Sequence, residues 1–123
     1  MRTLAGLLGG IFAAATLAAP AAEVAPKDTM ELAKVRGSIV FTTYCVLCHG
    51  LNADGKGRSA RIYTPPPADL RKRTVNLEYV ELIVRGGGEK VGRSKFMPPW
   101  GDELTNEQIK DLLVFLEAIK QPS

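Results

Sequence analysis

Every cysteine and the single histidine of this 123-residue chain fall within five consecutive positions, Cys45-Val46-Leu47-Cys48-His49. That concentration limits the possible folds and chemistries. A structural zinc site normally needs four Cys or His ligands, and this chain offers three, all within one turn. A redox dithiol of the thioredoxin type needs a strand running into a helix. Here the pattern predicts that the motif ends a helix and opens a loop containing Gly50, Gly55 and Gly57. A plain disulfide leaves His49 without a role.

C-x-x-C-H is the attachment signature of c-type haem. Two thiols three positions apart reach the two vinyl groups on one edge of a porphyrin, and the next residue swings its imidazole beneath the iron. His49 is then one axial ligand, and a six-coordinate iron needs a second. With no other histidine, the candidates beyond the leader are Met30 and Met97. Met30 precedes the motif near the start of a predicted helix. Met97 lies in Phe96-Met97-Pro98-Pro99-Trp100, where the prolines stiffen the backbone and hold the thioether in place. Met97 is therefore the expected metal ligand opposite His49. Lys90 and Lys95 are the alternatives.

The first residues differ from the rest. Arg2 is the only charge before Glu23, an apolar run extends from Leu4 to Ala19, and Ala19-Pro20-Ala21 offers a small-residue exit. This is the pattern of a secretory signal peptide over residues 1–21, cleaved after Ala21 or one residue later. The apolar stretch is shorter than the ~20 residues that a spanning helix needs. The expected organisation is therefore a signal peptide (1–21), an N-terminal extension (22–30) and one haem domain (31–120), located in the periplasm with no stable membrane insertion after cleavage.

Loss of the leader removes Arg2 alone from sixteen basic residues, leaving fifteen against thirteen acidic ones, a net charge of +2. The charge is uneven. Residues 58–95 hold nine Lys and Arg against four Asp and Glu, whereas residues 96–123 hold two against five. Only Tyr63 and Tyr79 fall among the basic residues, and export argues further against a nucleic-acid partner. The asymmetry points to a basic face able to orient the molecule on an acidic protein, or to an ordinary solvated surface.

Three helices are predicted, separated by long loops and without strands. The first covers about Thr29 to Tyr44, with Asp28 and Glu31 resembling a capping box and Leu32, Val35, Ile39 and Val40 at helical spacing. The second covers about Asn76 to Arg85, capped by Asn76, striped by Leu77, Val80 and Val84, and ended by Gly86-Gly87-Gly88. The third begins at a Thr105/Gln108 capping box with Leu104 stapled on Ile109, and Ile109, Leu112, Leu113 and Leu116 recur along it. Connections this long do not suit a bare three-helix bundle and usually wrap something.

Taken together, the chain resembles a class I c-type cytochrome, the small bacterial monohaem cytochrome c. The marks are Gly37, Phe41 and Cys45 at four-residue steps, the haem motif, the Met-Pro-Pro loop and the terminal helix, covering about Leu32 to Ile119. The resemblance implies an all-α cytochrome c fold around one haem c bound through Cys45 and Cys48. It implies that the first and last helices cross near Gly37 and that Phe41 meets Phe115 or Leu112. It also implies that a proline carbonyl, from Pro65, Pro66 or Pro67, accepts a hydrogen bond from His49. Trp100 and Tyr63 are candidates to touch the haem edge or to pack in the core. Arg58, Arg61 and Arg71 are candidates for its propionates, with a surface position as the default. The polar stretch Glu89 to Lys95 departs from the family pattern.

With both axial positions filled by protein, substrate cannot reach the iron, so the expected role is one-electron transfer rather than enzymatic turnover. The expected partners are redox protein donors and acceptors, with the cytochrome itself a monomer. Two alternatives remain. One is a dedicated haem subunit of a periplasmic oxidoreductase complex. The other is a gas sensor in which Met97 dissociates.

Overall fold

The computed structural model describes residues 26–122, so the expected signal peptide (1–21) lies outside the described residues. Four α-helices succeed one another: α1 (Pro26–Tyr44), the single turn α2 (Val46–His49), α3 (Leu77–Gly86) and α4 (Asn106–Ala118). Three 3-10 turns punctuate the loops at Ala60–Ile62, Leu70–Lys72 and Glu89–Val91. Among the described residues there is no strand, and no helix is long and apolar enough to cross a membrane.

The fold is organised by the crossing of α1 on α4. Gly37 lies so close to α4 that an added Cβ would sit 2.0 Å from the Asp111 carbonyl oxygen and 2.8 Å from Phe115 Cβ. One turn further along, the Phe41 ring meets Phe115 with centroids 5.3 Å apart. Beside the crossing, Arg36 grips the buried carboxylate of Asp111 with two bonds, Nε to Oδ2 at 2.6 Å and Nη2 to Oδ1 at 3.0 Å. The paired carboxylate raises the Arg36 pKa. A fork-on-carboxylate pair of this kind fixes direction as well as distance.

α4 forms as its sequence predicts. Thr105 accepts from the Gln108 amide and Gln108 reaches back to the Thr105 amide, completing the capping box. Leu104, Ile109, Leu112, Leu113 and Leu116 are all buried, with Val40, Phe41, Val80 and Val84 in the same core. In α3, Asn76 accepts from the Tyr79 amide, and Gly87, at φ 79°, ends the helix.

α1 departs from expectation in two ways. It starts at Pro26, earlier than Thr29, so that Asp28 lies within the helical span. The stripe Leu32, Val35 and Ile39 is exposed, each residue keeping more than half its surface. The buried face is instead Gly37, Val40 and Phe41. The two sets lie on opposite sides of the helix, and close backbone contact at Gly37 decides which side faces α4.

Gly37→Ala should lower the stability of the haem-loaded protein by about 1–3 kcal/mol through overpacking, despite a helix-propensity gain of ~1 kcal/mol. Denaturant unfolding of the two proteins measures the difference.

Candidate haem site

α1 delivers the motif. The Cys45 amide still donates to the Phe41 carbonyl (2.9 Å), after which the chain re-forms as α2, with the His49 amide on the Cys45 carbonyl at 2.9 Å. A one-turn helix leaves its last carbonyls without partners, and the following loop supplies them. Ser59 N–H donates to Leu47 O (3.0 Å), Gly57 N–H to Cys48 O (3.0 Å) and Gly55 N–H to His49 O (2.8 Å). The first loop is therefore stitched to the motif residue by residue.

Both thiols are free rather than joined as a disulfide. Burial, with a smaller contribution from Cys48, pushes the Cys45 thiol up to about 12. His49 Nδ1 lies 3.0 Å from the Ala68 carbonyl oxygen. A carbonyl only accepts, so Nδ1 carries the proton and donates, and the lone pair is left on Nε2. Burial holds the His49 pKa below its usual value, against the opposing effect of the Ala68 bond. The neutral imidazole that a metal requires is thus the favoured form.

The carbonyl that orients His49 belongs to Ala68, not to Pro65, Pro66 or Pro67. The cause is local. Gly55, at φ 78°, lets the incoming chain approach so closely that a Cβ there would fall 2.4 Å from Pro67 O. Leu70 N–H is anchored on Ala53 O at 2.8 Å. With residue 67 against Gly55 and residue 70 on Ala53, the carbonyl presented to the imidazole is that of residue 68.

Met97 is positioned from the other side of the chain. Its carbonyl accepts from Gly88 N–H (2.9 Å), and Trp100 N–H donates to Val84 O (2.8 Å). The two prolines between them have no amide to offer. The Met-Pro-Pro segment is therefore pinned at both ends to the C-terminal end of α3. Phe96 and Trp100 flank it, and each carries a ring contact to the motif side. Trp100 meets Tyr44, the residue before Cys45, edge-on at 5.4 Å. Phe96 meets Tyr63 from the first loop at 5.1 Å. These contacts bring the methionine loop and the cysteine–histidine segment together.

Tyr63 thus links the two loops, and Trp100 links the methionine loop to the end of α1. Arg71, a propionate candidate, bonds Asp69 through Nε to Oδ1 (3.0 Å) and Nη2 to Oδ2 (2.9 Å). That guanidinium is the main reason the Asp69 carboxyl drops to about 2. Arg58 and Arg61 are exposed. Met30 is 58% exposed on α1. The contacts that sequence reasoning missed are Tyr44–Trp100 and His49–Ala68, since both depend on loop paths that no local pattern encodes.

The donor set fits a c-type haem: two free thiols at the thioether spacing, a neutral imidazole with one nitrogen committed to a carbonyl, and a thioether on an anchored loop. The motif and the two loops expose apolar surface, with Leu47 51%, Ile62 75% and Phe96 42% exposed, the kind of surface an apolar prosthetic group covers.

Residues 33–116 match the family cytochrome c oxidase, cbb3-type, subunit III. The chain belongs to this family of c-type cytochromes. Covalently bound haem c and electron transfer come with that membership. Among curated proteins none matches. Among solved structures, the chain is similar to one described as the reducing HAO-like protein complex of Kuenenia stuttgartiensis, with 26% identity and a TM-score of 0.56. The match covers 69% of this chain and 41% of that one, so this cytochrome spans about two-fifths of the length of the structure it resembles.

Gly55→Ala should push residues 67–68 away from α2 and weaken the bond to His49. An imidazole holding haem iron would then be a poorer donor, and the midpoint potential of the haem-loaded protein should rise. Redox titration of variant and parent measures that shift.

Proposed function

We propose that this cytochrome is a periplasmic one-electron carrier with a single haem c, joined by thioether bonds at Cys45 and Cys48 and ligated by His49 and Met97. The observation that carries the reading is the pair of ring contacts, Tyr44–Trp100 and Tyr63–Phe96, on either side of Met97. They hold the thioether loop against the segment that bears the imidazole.

Haem supplies the ferric/ferrous couple. The protein's part would be to hold the group covalently through Cys45 and Cys48 and to offer His49 and Met97 to the iron, the soft thioether favouring the ferrous state. Ala68 fixes the orientation of His49, and the anchored Met-Pro-Pro segment restricts Met97. Burial of a bound iron would favour the state with less positive charge, in the same direction as the thioether. The apolar leader sequence supports export to the periplasm.

The basic middle of the chain supports docking on an acidic redox protein. Lys90, Arg93 and Lys95 are exposed in the loop leading to Met97, and Arg61 is exposed beside Tyr63. The Lys95 ammonium lies 5.5 Å from the Phe96 ring centroid, next to the Tyr63 contact. Cations therefore stand on both sides of the junction between the two loops. Electron-transfer interfaces are small and short-lived, so charge chiefly increases the rate of encounter. A second reading, a haem subunit resident in an oxidoreductase complex, is favoured by the similar structure being part of a protein complex. Stable co-purification with a redox enzyme distinguishes it from a free carrier.

The ferric protein should show the weak red band of sulfur-to-iron charge transfer, and Met97→Ala should abolish it and lower the midpoint potential. An unchanged spectrum in Met97→Ala overturns the ligation. Electron-transfer rates with an acidic partner should fall as ionic strength rises, and Lys90→Glu with Lys95→Glu should reproduce much of that fall at low salt.

A further inference from the structure

Between α3 and Met97 the chain closes a small loop that includes the unusual stretch Glu89 to Lys95. Two backbone bonds form its base: Gly88 N–H to Met97 O at 2.9 Å and Arg93 N–H to Gly88 O at 2.8 Å. Its tip is the 3-10 turn Glu89–Val91, followed by Gly92 in the left-handed region. The Met97 amide donates to Ser94 O within the same loop (3.2 Å). Both backbone polar groups of Met97 therefore depend on how this loop is held.

A side chain of α3 tethers the tip. Tyr79 Oη donates to the Val91 carbonyl at 3.0 Å. The Arg93 guanidinium lies over the same ring, 5.6 Å from its centroid, with Nε 3.4 Å from the hydroxyl. Tyr79 is itself fixed, because its amide is capped by Asn76 at 3.0 Å. One phenol on a rigid helix thus engages both the turn and the residue that closes the loop base.

We infer that Tyr79 is a positioning residue for Met97, latching Val91 and Arg93 onto α3 so that the thioether seldom leaves the metal. The inference rests on the His49/Met97 reading and assigns a role to the polar insertion. A neutral thioether is a weak ligand for ferric iron, so its occupancy depends on the population of the closed loop. Loss of one such hydrogen bond should raise the open-to-closed ratio about three- to tenfold. The ring contact with Arg93 adds a smaller share.

The test uses the ferric holoprotein with imidazole as the probe, since imidazole occupies the iron when Met97 leaves. Tyr79→Phe keeps the ring and removes the hydroxyl. It should raise the imidazole association constant about three- to tenfold and speed amide exchange at Gly88 and Arg93 in parallel. Arg93→Ala should act in the same direction more weakly. Leu116→Val, a core change in the C-terminal half of α4, controls for general loss of stability and should leave both readouts at the parent value. Parent-like imidazole affinity in Tyr79→Phe overturns the inference. So does an equal rise in Leu116→Val. Absence of the red band from the parent protein refutes the ligation itself, whatever Tyr79 does.

Discussion

The backbone contact between Gly37 and the Asp111 carbonyl sets the position of everything that follows. It lets α1 and α4 approach more closely than side chains would allow. Phe41 then packs on Phe115, and the Arg36 fork on Asp111 fixes the crossing direction. Two helical turns beyond the glycine, α1 ends at Tyr44, beside Cys45. The thiols and the imidazole thus project from the end of the best-packed helix pair in the chain, and their placement inherits its rigidity.

From that end the loops take over, and they do so through backbone hydrogen bonds more than through side-chain packing. The carbonyls of Leu47, Cys48 and His49 are each met by an amide of the first loop. The Met-Pro-Pro segment is held between Gly88 and Val84 by the same kind of bond. Two aromatic pairs then tie the methionine loop to the first loop and to the end of α1. The long connections of this small domain are tied down in this way, with the first loop following His49 and the second carrying Met97.

Much of this was legible in the sequence where the controlling forces are local. The Thr105/Gln108 box, the Asn76 cap, the Gly87 exit and the apolar stripe of α4 all form as read, because each depends on residues within a turn or two. The motif and the Met-Pro-Pro segment were equally plain. The stripe on α1 misled because that helix is apolar on two sides. Leu32, Val35 and Ile39 satisfy the helical period as well as Val40 and Phe41 do, and periodicity does not say which side α4 will choose. The His49 acceptor was misplaced because the family rule names a proline. Here Gly55 and Ala53 set the register of residues 67–70 and present Ala68 instead. Tyr44–Trp100 and Tyr79–Val91 join segments far apart in sequence and had no local signal.

The account depends on one covalent proposal, a haem carried by Cys45 and Cys48. Mass analysis of the purified protein after proteolysis tests it most directly. The account predicts that the peptide spanning Cys45 to His49 carries a single haem and that neither cysteine accepts an alkylating agent. Recovery of that peptide without a tetrapyrrole, with both thiols alkylated or joined to each other, would contradict it.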